Sequence, residues 1–188
     1  MPKSEYCRLF FVGLFLSQAV VAGCRAADAP NQETPVRAQA GTESPDVTLK
    51  LQDGRSVRLA DYRGERAVVL FFYPKDNTPV CTAEACSFRD AYADLAGLDA
   101  EVIGVSGDTA ASHQKFAEKY NLPFPLASDA DGAVRRAFGV PKTLGFLPGR
   151  TTYVIDKQGT VRLAFSAAFS ADKHVAEARR VLESLNEN

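Results

Sequence analysis

The sequence lacks a charge excess of either sign: 22 Lys and Arg residues stand against 23 Asp and Glu residues, so the formal net charge is −1. A chain that binds nucleic acid usually carries a clear positive excess, so no nucleic-acid partner is expected. Hydrophobic residues make up 46% of the chain and charged residues 24%, which is typical of a soluble globular protein. A length of 188 residues suits one ordinary domain with some attached sequence.

The sequence also lacks an apolar run long enough to span a membrane. The run "LFFVGLFLSQAVVAG" follows a short polar start that contains Lys3 and Arg8. Its length of about 15 residues suits the core of an export signal better than a transmembrane helix of about 20. We therefore predict that residues 1–23 form a cleaved signal peptide.

The end of this run, "VAGC", places two small residues before Cys24. The segment resembles the lipobox of bacterial lipoproteins, which implies cleavage before Cys24 and attachment of a lipid to its sulfur. An ordinary signal cleaved after Ala27 to Ala29 is the alternative, but Pro30 follows and disfavours cleavage there. We therefore predict an exported protein, anchored to a membrane through Cys24 and facing the periplasm or the cell exterior.

The segment after Cys24 has little that could form a core. Residues 25–45 are rich in alanine, proline and polar residues, and Val36 is their one large aliphatic side chain. Such a segment cannot bury enough apolar surface to offset the entropy lost on ordering. We predict a flexible tether over residues 24–45 and a single domain over residues 46–188.

Within the domain, strand and helix patterns alternate. The segments "VTLKL" and "SVRLA" predict an edge hairpin, and "AVVLFFY" at 67–73 predicts a strand covered on both faces. Helical patterns occur at 81–98 and again after the apolar segment "AEVIGVSG". The chain ends with a hairpin around "DKQG" and a terminal helix. This order predicts an α/β sandwich with parallel and antiparallel strand pairs.

Cysteine is scarce, and its positions limit the chemistry of the domain. Cys7 lies in the predicted signal and Cys24 at its end, which leaves Cys81 and Cys86 as the thiols of the domain. Their spacing matches neither a zinc knuckle nor a C-x-x-C motif. The two thiols therefore need another explanation.

A metal site would need more ligands than these two thiols, because zinc and copper are usually held by further Cys or His side chains. The domain adds only His113 and His174, each in a charged helical stretch, and we expect both to face solvent. A copper-binding or structural thiol module stays open as an alternative function. A general disulfide exchanger is a third interpretation, although it lacks the C-x-x-C motif that sets the reactivity of such sites.

Cys81 and Cys86 fall on one predicted helix, which opposes a relaxed disulfide between them. Five residues along a helix give about 7.5 Å of rise and about 140° of rotation. A disulfide needs Cα atoms roughly 4.4–6.8 Å apart. The bond can form only where the helix unwinds, so the pair suits a redox switch better than a structural staple.

Cys81 also stands where the turn-rich loop "PKDNTPV" enters that helix. The free N–H groups and the dipole at a helix N-terminus favour a thiolate, which is the nucleophilic form of cysteine. Pro79 suits the N-cap or the first turn, and the Thr78 hydroxyl can contact the thiolate or its substrate. A thiolate can be oxidised to a sulfenic acid, which Cys86 is placed to resolve as a disulfide.

At these residues the sequence resembles a peroxiredoxin. The segment "PKDNTPVC" fits the signature P-x-x-x-T-x-x-C with Pro74, Thr78 and Cys81. The pair in "CTAEAC" narrows the likeness to the Q-type, or bacterioferritin-comigratory, branch. The likeness covers about residues 46–188 and implies a thioredoxin-like sandwich, in which helices flank a central mixed β-sheet.

The resemblance implies an activity, the reduction of hydrogen peroxide and organic hydroperoxides. Cys81 would be the peroxidatic cysteine and Cys86 the resolving one, and a thioredoxin-like donor would reduce the disulfide that they form. No metal or organic cofactor is implied, because sulfur itself carries the two electrons. The resembled branch is often monomeric, so we expect a monomer.

Further residues take roles by the same resemblance. Pro74 would shield the pocket and Thr78 would orient the peroxide. Arg150 would stabilise the thiolate and the developing negative charge, with Glu84 helping to organise Arg150. Val80 differs from the residue common in this branch, which is glycine at the position before the peroxidatic cysteine. Its β-branched side chain restricts the backbone and adds bulk beside the pocket, so it affects how easily the helix unwinds and which substrate sizes fit.

Overall fold

Strand β3, Ala67–Phe72, lies inside the sheet, and all of its side chains are buried. The computed structural model of the chain describes residues 38–143, 145 and 147–187. In it, β3 pairs in parallel with β4, Ala100–Ser106, and antiparallel with β6, Thr151–Ile155. A strand covered on both faces needs no alternation of polar residues. The prediction made from the apolar run at 67–73 is therefore confirmed.

The remaining strands of the described chain are β1 (Thr48–Leu51), β2 (Ser56–Arg58), β5 (Leu126–Ser128) and β7 (Val161–Ser166). One mixed sheet joins them in the order β2-β1-β5-β4-β3-β6-β7. The predicted hairpins are β1 with β2 and β6 with β7. Strand β5 was not predicted, because three residues are too few for a hydrophobic period to show.

Helices cover both faces of the sheet. In the part of the chain that the structure describes, they are α1 (Pro79–Gly97), α2 (Ala110–Tyr120), α3 (Ala133–Phe138) and α4 (Ala171–Asn186), with a short 3-10 helix at Leu59–Tyr62. Buried side chains of α1, α2 and α4 join one hydrophobic core, and those of α3 join a second core on the opposite face. This arrangement is the predicted α/β sandwich with a mixed central sheet.

Stacked aromatic rings fix α1 on the sheet. The rings of Phe88 on α1 and Phe71 on β3 stack with centroids 4.5 Å apart, and Phe124 meets Phe71 edge to face at 5.7 Å. Phe71 also lies over Gly104 on the adjacent strand, where an added Cβ would come within 2.7 Å of the Phe71 ring. The missing side chain at Gly104 therefore leaves room for the ring that holds α1.

Both histidines of the domain are buried, which corrects the expectation that they face solvent. His113 on α2 and His174 on α4 are each 0% exposed. His113 Nδ1 lies 3.0 Å from Oδ2 of Asp76, and His174 Nε2 lies 2.8 Å from the carbonyl oxygen of Ala167. Buried polar groups are stable when such partners replace water. The expectation was wrong because the charged residues near each histidine lie on other faces of the helix, and the charge of the stretch does not show which way the histidine points.

Residues 38–45, the described part of the predicted tether, contact the domain. Ala38 is 3% exposed, and the N–H of Gly41 donates to the carbonyl of Val161 at 2.8 Å. The predicted signal peptide over 1–23 lies outside the described residues. No helix in the described part of the chain is both long and apolar enough to cross a membrane.

Cys24, the predicted lipidation site, also lies outside the described residues. The boundaries proposed for the tether at 24–45 and for the domain at 46–188 stay predictions.

Candidate active site

Cys81 lies in the first turn of α1. The N-cap is Thr78, whose extended backbone has φ −87° and ψ 148°, and Pro79 takes the first helical position. Proline fits there because the first N–H groups of a helix have no intrahelical partner. The Cys81 side chain is therefore close to the positive end of the helix dipole, in a setting that is only 2% exposed.

The guanidinium of Arg150 contacts this thiol directly. Arg150 Nη2 donates to Cys81 Sγ at 3.1 Å, and Nη1 donates to Oε2 of Glu84. The third nitrogen, Nε, donates to the carbonyl oxygen of Ala168 at 3.1 Å. Arg150 stands just before β6 and is 5% exposed, so its charge acts in a largely dry site, where electrostatic interactions are strong.

Glu84 lies beside Cys81 on α1 and is 0% exposed. Burial raises the pKa of Glu84 to about 7, although the charge of Arg150 and its hydrogen bond act in the opposite direction. Two acidic groups, Glu84 and Cys81, therefore share one buried cation. The second carboxylate oxygen of Glu84, Oε1, has no hydrogen-bond partner in the described chain and lies 3.6 Å from His174 Nδ1.

The loop between β3 and α1 holds Pro74 and Thr78, which are both half-buried. Pro74 ends the apolar run, because it cannot donate to the strand ladder. The Thr78 hydroxyl donates to the carbonyl of Lys75 at 3.0 Å. Its donor is thus used inside the loop, while its lone pairs can still accept a hydrogen bond from a ligand.

Asp76 fixes this loop to the rest of the domain. Its carboxylate accepts hydrogen bonds from the hydroxyls of Tyr73 at 2.8 Å and Ser112 at 2.7 Å, and Nδ1 of His113 lies 3.0 Å away. Burial alone would raise the pKa of Asp76, but the hydrogen bonds, led by that from His113, hold the pKa below its ordinary value. Asp76 is therefore a charged anchor for the loop.

Cys86 is half-buried on α1 and, like Cys81, carries a free thiol. The intact helix keeps the two apart, because five residues correspond to about 7.5 Å of rise along its axis. Glu84 lies between them in the chain. The structure thus brings Cys81, Glu84 and Arg150 together and leaves Cys86 outside this group.

A metal centre is not built around the thiols. In residues 38–187, apart from the two positions that are not described, no group of three or more His, Cys, Asp or Glu side chains could hold a metal ion. The nearest charged neighbour of Cys81 is the cation of Arg150, which would repel a metal ion. The copper-binding interpretation therefore lacks a ligand set in this part of the chain.

The sequence of the chain matches a known protein family. A family model described as AhpC/TSA family matches residues 40–164. The chain belongs to the AhpC/TSA family. A relative from rice, Oryza sativa subsp. japonica, is peroxiredoxin Q, chloroplastic. It is 51% identical over 146 residues, which cover 77% of this chain and 67% of the relative.

Solved structures of this family share the fold. The structure of peroxidoxin BcpB from Mycobacterium tuberculosis superposes with a TM-score of 0.73 at 39% identity, covering 79% of this chain and 99% of that one. The bacterioferritin comigratory protein of Xanthomonas campestris, described for its alkyl peroxide reduction activity, gives a TM-score of 0.71 at 30% identity, covering 78% and 99%.

These matches confirm the predicted family and fold. This AhpC/TSA family member is a peroxiredoxin of the Q type with a thioredoxin-like fold. Its enzymatic class is that of a thiol-dependent peroxidase.

The plant relatives contradict the predicted location. They carry the name peroxiredoxin Q, chloroplastic, which is a location in a plastid. The prediction of an exported, membrane-anchored protein facing the periplasm or the cell exterior is therefore wrong. It rested on a short apolar run and on Cys24, a local pattern that carries no information about the folded domain.

Replacing Glu84 by Gln should change how stability depends on pH. Folding raises the pKa of Glu84 from its ordinary 4.5 to about 7, so the folded chain binds the carboxyl proton more tightly than the unfolded chain does. This stabilisation is complete below the unfolded pKa and is lost as the pH rises through the folded pKa. Relative to Glu84→Gln, the free energy of unfolding of the wild type should fall by about 3 kcal/mol across that window. Urea unfolding of both proteins at several pH values measures this, and parallel curves would contradict the assignment.

Proposed function

We propose that Cys81 is the peroxidatic cysteine and attacks a peroxide oxygen as a thiolate. Its sulfur forms a bond to that oxygen while the O–O bond breaks, giving Cys81 sulfenic acid. The leaving hydroxide or alkoxide takes a proton and departs as water or an alcohol. The observation that carries this proposal is the 3.1 Å contact from Arg150 Nη2 to the buried Cys81 Sγ. A fixed guanidinium stabilises both the thiolate and the charge that develops on the leaving oxygen.

The neighbouring side chains take supporting roles in this proposal. Thr78 orients the peroxide by accepting a hydrogen bond from its O–H, and its free lone pairs support that role. Pro74 shields the pocket from water. Glu84 holds Arg150 in place through their buried ion pair, in which both side chains are almost fully enclosed.

We assign the second step to Cys86. Its thiol attacks the sulfenic sulfur, water leaves, and a Cys81–Cys86 disulfide forms. The first turns of α1 must open for this, because an intact helix holds the sulfurs too far apart for a relaxed bond. The stack of Phe88 on Phe71 supports this step, since it fixes α1 just beyond Cys86 while the turns before it open.

The disulfide is then reduced by a thioredoxin-like dithiol, which supplies two electrons and two protons and is itself oxidised to a disulfide. Hydrogen peroxide and organic hydroperoxides are the proposed substrates. The alkyl peroxide reduction described for the Xanthomonas campestris relative supports the second class. We propose that the protein acts as a monomer, because each step uses thiols of one chain.

Serine variants test the assignment of the two cysteines. Cys81→Ser should consume no peroxide, because a hydroxyl at this position is not ionised at neutral pH. Cys86→Ser should still consume one equivalent of peroxide and then stop at a Cys81 sulfenic acid, which a trapping reagent and peptide mass spectrometry detect. The double variant is the control for background consumption. Full activity in Cys81→Ser, or repeated turnover with a dithiol donor in Cys86→Ser that matches the wild type, would refute the mechanism.

Val80 offers a test of helix opening, because it lies between Pro79 and Cys81 in the first turn of α1. Glycine weakens a helix by about 1 kcal/mol relative to alanine, with valine between them. If opening limits disulfide formation, the rate in Val80→Gly should exceed that in Val80→Ala by about fivefold. Quenched-flow mapping of the Cys81–Cys86 disulfide after one equivalent of peroxide measures both rates. Equal rates, or the reverse order, would show that opening does not limit the step.

A further inference from the structure

The supports of Arg150 come from different elements of the fold. Glu84, which accepts from Nη1, lies on α1 between the two cysteines, in the segment that opens for resolution. Ala168, which accepts from Nε, lies after β7. When α1 opens, Arg150 loses its contacts with Cys81 and Glu84 together, so the contact with Ala168 must then keep the guanidinium in place.

One buried side chain, His174 on α4, lies close to these supports. Its Nε2 is 2.8 Å from the carbonyl oxygen of Ala167, the neighbour of Ala168. Its Nδ1 is 2.8 Å from Oγ1 of Thr152, two residues after Arg150. The same Nδ1 is 3.6 Å from Oε1 of Glu84. His174 thus forms hydrogen bonds to the strand that carries Arg150 and to the segment that holds its Nε, and it lies near, without a hydrogen bond, the carboxylate that holds its Nη1.

The hydrogen bonds of His174 fix one state of its ring. The Ala167 carbonyl can only accept, so Nε2 carries the proton. In a neutral ring Nδ1 then accepts from the hydroxyl of Thr152. Burial lowers the pKa of His174, which agrees with a neutral ring. Phe165 packs edge to face against it with centroids 4.9 Å apart, so the ring has little freedom to turn.

We propose that His174 is a positioning residue of this peroxidase, which fixes the segment Ala167–Ala168 and Thr152 and thereby holds Arg150 on the Cys81 sulfur. This inference rests on the proposed role of Cys81. His174 contacts neither the sulfur nor the space where a peroxide would react, so it acts only through Arg150. It also attaches the C-terminal helix α4 to the reaction centre, and that attachment persists while α1 opens.

Three substitutions at His174 separate its two hydrogen bonds. His174→Gln can keep the donor to the Ala167 carbonyl, because its amide nitrogen corresponds in reach to Nε2. His174→Asn can keep the acceptor for Thr152, because its amide oxygen corresponds in reach to Nδ1. His174→Leu fills much of the same space and makes neither bond. Since the Ala167 bond supports the segment that holds Arg150, His174→Gln should rescue most of the function.

The rate constant for Cys81 oxidation by hydrogen peroxide, measured by stopped flow on the reduced full chain, is the first readout. His174→Leu and His174→Asn should react on the order of ten- to a hundredfold more slowly than the wild type, because a small misplacement of a catalytic group has effects of that size. His174→Gln should stay close to the wild type. The rate of Cys81 alkylation by iodoacetamide, mapped by mass spectrometry, should follow the same order.

Val181→Ala is the matched control for a merely structural role. Val181 lies on the same helix, is 8% exposed and belongs to the core, and its aliphatic side chain can make no hydrogen bond to Arg150 or its supports. It should lose stability yet oxidise at the wild-type rate. The inference is overturned if His174→Leu and His174→Asn react like the wild type, or if Val181→Ala slows as much as they do. If the wild type itself is not oxidised at Cys81, the proposed function fails first.

Discussion

One buried guanidinium, that of Arg150, is the group on which the proposed reaction centre depends. Each of its three nitrogens has an acceptor: the sulfur of Cys81, a carboxylate oxygen of Glu84 and the carbonyl of Ala168. Burying an unpaired charge would cost several kcal/mol, so Arg150 is stable there only because the fold supplies these partners. In the proposed mechanism the sheet matters mainly because Arg150, just before β6, reaches the first turn of α1.

The proposed mechanism divides α1 into a part that stays fixed and a part that opens. Beyond Cys86, the Phe88 ring is stacked on Phe71 in the core. Before it, the first turn begins at Pro79 and holds Cys81, which must move in the proposed mechanism. A helix can open locally at its end at much lower cost than in its centre, because fewer hydrogen bonds and core contacts are lost. The two thiols therefore lie in the part of the helix whose opening costs the least free energy.

The sequence predicted the long helices and the outer hairpins from their hydrophobic periods, and the strand at 67–73 from its continuous apolar run. It could not predict β5, which is too short for any period. The resemblance carried by Pro74, Thr78 and Cys81 indicated Arg150 as well. The burial of His174 was not predictable. The pattern of α4 shows which of its faces is apolar, but not that a carbonyl after β7 lies beside that face and accepts a hydrogen bond from the histidine.

The carboxylate of Glu84 was predictable only in part. Its place three residues after Cys81 was visible in the sequence, but its complete burial was not, and that burial raises its pKa while Arg150 acts in the opposite direction. Local sequence fixes which groups share a helical turn. The electrostatics of a site depend on which distant elements cover that turn, and those contacts appear only in the folded chain.

The most direct test of this account is the rate constant for the first oxidation of Cys81 by hydrogen peroxide in the wild type, in Arg150→Lys and in Arg150→Gln. The account predicts a loss of about 10²- to 10³-fold in Arg150→Gln, because the positive charge at the sulfur is removed. Arg150→Lys should fall between the two, since it keeps the charge but cannot donate to three acceptors at once. A rate in Arg150→Gln that equals that of the wild type would contradict the central role of this guanidinium.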